Sequence, residues 1–71
     1  MNPLDLITDI CQRVLGARVG VAASQTDEGA WQIAVSGAKP ADPLTRSQQE
    51  MDIIMSLQHG LAGAAVRLRI D

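Results

Sequence analysis

The chain has 71 residues and a mass of 7.5 kDa, enough for one domain spanning 1–71, and its 46% hydrophobic and 20% charged residues lie in the globular range rather than the disordered one. No apolar run approaches the roughly 20 residues of a membrane span, and no basic segment opens the chain as in a signal peptide. The single cysteine excludes an intrachain disulfide and a multi-cysteine metal knuckle, and the net charge of −2 gives no global basic surplus for nucleic acid, so a cytoplasmic chain without a cofactor is the expectation.

Asn2-Pro3 starts a helix, because an Asx side chain caps and proline at the first helical position loses no needed donor. Leu4, Ile7, Cys11 and Val14 recur at spacings of three and four, joined by Leu6, Ile10 and Leu15, and Gly16 stops the helix. From Arg18 the period falls to two. Val19, Val21 and Ala23 point one way, and Arg18, Gly20, Ala22 and Ser24 point the other. The turn residues Thr26-Asp27-Glu28-Gly29 lead to Trp31, Ile33 and Val35, alternating with Gln32, Ala34 and Ser36, which completes a β-hairpin.

Residues 37–43 have no period and read as a loop, the best candidate on length for a docking loop. Asp42-Pro43 repeats the cap-plus-proline device, and Thr45 with Gln48 and Ser47 with Glu50 both fit capping-box spacing. The helix that follows is expected to bury Leu44, Met51, Ile54, Met55, Leu57 and Leu61, with Ile53 outside that stripe and open to solvent. Gly60 ends it, with His59 in the last turn. Val66, Leu68 and Ile70 then alternate with Arg67 and Arg69 in a third strand.

The order α-β-β-α-β gives an α+β two-layer sandwich: a three-stranded mixed sheet with two helices on one face. The helical crossover makes the third strand parallel to the second. The uncovered sheet face then carries small side chains fringed with arginine. Trp31 is the only aromatic residue, and ten alanines share the core's work with Leu, Ile, Val and Met. A chain this short buries only about 60% of its unfolded surface, so self-association is the remaining source of stability to which the composition points.

Catalytic groups are sparse. Cys11 lies in an apolar stripe and is expected to be buried and inert, and His59 is expected to serve the helix end rather than act as a base. One histidine with scattered carboxylates is a poor transition-metal set, and Asp27-Glu28 reads as a solvated turn. Enzymatic activity is therefore not expected. Trp31 is expected in the core beneath the helices, with a partly exposed interface position as the alternative.

Gly60-Leu61-Ala62-Gly63 spells the GxxG of KH-type RNA-binding domains, in which the loop lets a nucleic-acid backbone approach closely. The α-β-β-α-β order resembles the KH-like fold of bacterial ribosome-assembly factors, which lack that loop. This chain departs from the KH pattern, since its two inner residues are apolar and a strand rather than a helix follows. A glycine helix stop with a tight turn is the competing reading. Residues 4–37 also resemble the start of gas-vesicle accessory proteins, through a helix, a glycine and a hairpin with Asp27, Gly29 and Trp31, but the acidic strand of that family is missing.

The leading expectation is a small interaction or assembly module, a homodimer or larger homo-oligomer that also meets a protein partner, with Gly20, Ala22, Gln32 and Ala34 at the interface. Sheet faces or strand edges would make the contact. The alternative is RNA or another anion bound by Arg18, Arg67, Arg69 and the Gly60–Gly63 turn. Alternating arginines on a strand also discourage edge pairing without binding anything.

Overall fold

The computed structural model describes residues 2–71. Its elements are α1 (Pro3–Leu15), β1 (Gly20–Gln25), β2 (Trp31–Ser36), α2 (Pro43–Gly60) and β3 (Val66–Ile70). The strand order is β1-β2-β3, with β1 antiparallel and β3 parallel to β2, so the small mixed sheet and both helices follow the expected α+β order.

Local chemistry accounts for each boundary. The Asn2 side chain accepts from the Leu4 amide at 2.9 Å, and Pro3 occupies the first turn of α1. At the other end, the Gly16 amide donates to Gln12 O. The hairpin closes with Thr26 N donating to Ala30 O at 2.8 Å, while the Thr26 hydroxyl accepts from the Ala30 amide. Gly29 supplies the positive φ of 87° that this turn requires. Asp42 caps α2 by accepting from the Thr45 amide at 2.6 Å, and that hydrogen bond holds its carboxyl below the ordinary carboxylate range. The cap is therefore present at neutral pH and is lost as pH falls through the lowered pKa. Residues 37–42 form the loop, with Ala38 packed against the core and Lys39 O bound by an Arg46 guanidinium nitrogen at 2.5 Å.

The fully or nearly buried core is Ile7 and Cys11 from α1, Val19 before β1, Ile33 and Val35 from β2, and Ile53 and Leu57 from α2. Trp31 is half-buried and packs against this cluster from the start of β2, as do Val66, Leu68 and Ile70 of β3. α1 stands over β1 and α2 over β3, and the two helices pack along each other.

The inward face of α2 differs from the expected one. Ile53 and Leu57 are wholly buried, whereas Leu44, Met51 and Met55 are 70%, 60% and 62% exposed. Ile54 and Leu61 are partly buried. The helices approach closely at Gly60, where an added Cβ would lie 2.6 Å from Leu6 Cδ2 of α1. Gly60, Ile53 and Leu57 lie within about 60° on the helical wheel, so the close approach is on the buried side, roughly a third of a turn from the centre of the expected stripe. Leu4 of α1 is likewise 46% exposed rather than buried.

Replacing Ile53 with alanine should destabilise the fold by about 2–4 kcal/mol, because it empties a packed site. Met51→Ala or Met55→Ala should change stability by less than about 0.5 kcal/mol. Urea denaturation of the three variants checks this, and the reverse ranking would contradict the orientation of α2.

Candidate interaction surface

Since both helices lie on one side, alternate residues of all three strands face outward without a covering layer. The register sets them in rows across the sheet. Gly20 is beside Ser36, Ala22 beside Ala34 and Arg69, and Ser24 beside Gln32 and Arg67. All eight are exposed. Gly20 keeps its row low, since a Cβ there would come within 3.1 Å of the Ser36 hydroxyl. A shallow depression of about 440 Å³ follows Ala22, Ser24, Gln32, Ala34, Arg67 and Arg69. Height rises across the face: the β1 margin carries glycine, alanine and serine, and the β3 margin carries two arginines.

Charge follows the same gradient. Arg69 Nε bonds Asp71 Oδ1 at 3.1 Å, with its side chain 79% exposed. Arg67 has no ion pair among the described residues, and neither do Asp27 and Glu28 in the exposed hairpin turn. The one other ion pair among the described residues, Asp9 with Arg13, lies on the surface of α1.

Of the residues expected to bind an anion, the fold brings Arg67 and Arg69 together and sets the others apart. Arg18 lies in the turn before β1, beside Gly37, at the Ser36 end of the hairpin. Gly60 and Gly63 flank the turn entering β3 at the opposite, Trp31 end. Their turn is a helix terminator. The Gly63 amide donates to Gln58 O at 2.8 Å, five residues back, with Ala62 at φ 57° and Gly63 at φ 80°. Gly60 has the separate task of admitting Leu6.

Cys11 is completely buried, and burial raises its thiol pKa above the ordinary 9.0. His59 is exposed at the end of α2. Among the described residues, no group of three or more His, Cys, Asp or Glu side chains gathers as a metal set, and no helix is long and apolar enough to cross a membrane. The apolar stripe of Leu44, Met51 and Met55 on the solvent side of α2 was hidden in the sequence, because its spacing matches that of a core stripe.

A thiol with a raised folded-state pKa stabilises the fold fully below its unfolded pKa, and that contribution is lost as pH rises through the folded value. Stability measured by urea should therefore fall as pH is raised past 9.0. The fall should be smaller in Cys11→Ala, and an equal fall in both chains would assign it to other groups. Compared with known families, curated proteins and solved structures, the chain matches no family model, no curated protein and no solved structure.

Proposed function

We propose that this chain is a non-enzymatic interaction and assembly module that associates with itself through its sheet. The observation supporting this reading is the one-sided covering of the sheet: Ala22, Ala34 and their neighbours stand exposed opposite the helix layer. Parallel strands are commonest in sheets covered on both faces, and a partner's layer would cover the face that the helices leave open here. The need for it is energetic as well. Among the described residues seven form the buried core, none of them aromatic, in a chain too short for its burial to give more than a thin margin of stability.

Small side chains suit this role, since they let a second backbone layer approach to the roughly 10 Å of packed sheets. Arg67 and Arg69 on the same face support RNA as the second reading, although Arg18 and the glycine turn lie at opposite ends of the sheet and do not join them.

Sedimentation velocity over a wide concentration range, at low and high salt, tests the proposal. A dimer that grows with concentration and persists in high salt is the expected result. A monomer at every concentration would overturn it. If that monomer bound single-stranded oligouridylate with a steep salt dependence, and the Arg67→Ala, Arg69→Ala double variant lost the binding, the face would belong to nucleic acid.

A further inference from the structure

A second copy has two ways to reach the sheet, through a strand edge or through the open face, and the geometry distinguishes them. Two helices side by side are about 20 Å wide, whereas three strands span roughly 14 Å. With α1 over β1 and α2 over β3, the helix layer therefore overhangs both edges. Antiparallel pairing of β1 with its copy would bring the two α1 helices to roughly 5 Å, inside the 8–10 Å that packed helices need. Edge pairing through β3 meets the same obstacle and also sets Arg67 and Arg69 against their own copies.

Face packing allows two symmetric arrangements. A two-fold axis running across the strands stacks β3 on β3 and gathers four arginines, which repel. A two-fold axis running along the strands stacks β3 of one copy on β1 of the other. There the high margin, Arg67 and Arg69, meets the low margin, Gly20, Ala22 and Ser24, and this happens twice by symmetry. Levels along the strands are kept in this arrangement. Arg67, in register with Gln32 and through it Ser24, lies over Ser24 of the second copy. The second copy's Asp27 and Glu28 begin three residues further on, roughly 10 Å along the strand, a span that an extended arginine and a carboxylate cover together.

We infer that the chain forms a face-to-face homodimer about a two-fold axis parallel to its strands, in which Arg67 of each copy engages the Asp27-Glu28 turn of the other. The inference rests on the self-association proposed above and specifies its geometry. It gives a partner to three charged groups that have none among the described residues. It also gives the depression along Ala22 and Ala34 an occupant, the β2 side chains of the second copy. The footprint, about 14 by 20 Å, is small beside the roughly 800 Å² per partner of a standard interface, so the dimer is expected to dissociate in the micromolar range or above.

Charge reversal provides the test, because these residues are exposed and are not paired with one another within one chain. Sedimentation up to several hundred micromolar, with circular dichroism to verify folding, would compare the wild type with four variants. Arg67→Glu and the pair Asp27→Lys, Glu28→Lys should each weaken the dimer by about tenfold, and the triple variant carrying all three changes should restore it. Ala34→Glu should abolish it, because a carboxylate would be buried at the centre of the contact. A wild-type dimer indifferent to Ala34→Glu and Arg67→Glu would overturn face packing while leaving self-association intact. Loss in Arg67→Glu without rescue by the triple variant would overturn the orientation of the axis. A wild type that stays monomeric throughout would overturn both this inference and the functional reading beneath it.

Discussion

The rest of the structure depends on which side of α2 turns inward, the side that carries Ile53, Leu57 and the close approach of Gly60 to Leu6 of α1. Ile53 and Leu57 then complete a core with Ile7, Cys11, Val19, Ile33 and Val35, and the same orientation sends Leu44, Met51 and Met55 outward. With both helices committed to one side, the other face of the sheet is left bare. The proposed interface is thus a consequence of how the core was closed.

Much of this was legible in the sequence. Asn2-Pro3 and Asp42-Pro43 mark their helices through hydrogen bonds confined to a few residues, so no tertiary knowledge is needed to place them. The hairpin turn is equally local, and the period-two alternation gives the two faces of every strand directly. The orientation of α2 was not legible. Apolar residues surround that helix, and counting them favours Met51 and Met55 over Ile53, whereas the buried side is also the side of Gly60, which such a count ignores. Strand order mattered in the same way for the surface. Arg67 and Arg69 are visibly on one face, but their position opposite the low margin of β1 exists only because β2 lies between them.

Trp31 falls between the two positions expected for it. It packs on the core cluster yet stays half-buried at the first residue of β2, where its amide donates to Ala65 O just before β3. The aliphatic centre of the core, with Ile7, Ile33 and Ile53 buried, goes with that placement.

The parallel pairing of β2 with β3 has a consequence for how the chain folds. The hairpin and each helix close through contacts between near neighbours, but β3 reaches β2 only after all of α2 and both its flanking turns have been laid down. Until then the edge of β2 that will receive β3 is bare, and it runs along Trp31, Ile33 and Val35, the most apolar segment of the sheet. A nascent chain leaving the ribosome therefore exposes an unpaired hydrophobic strand edge until residues 66–70 have emerged, a window in which chaperone capture and aggregation compete with the last step of folding.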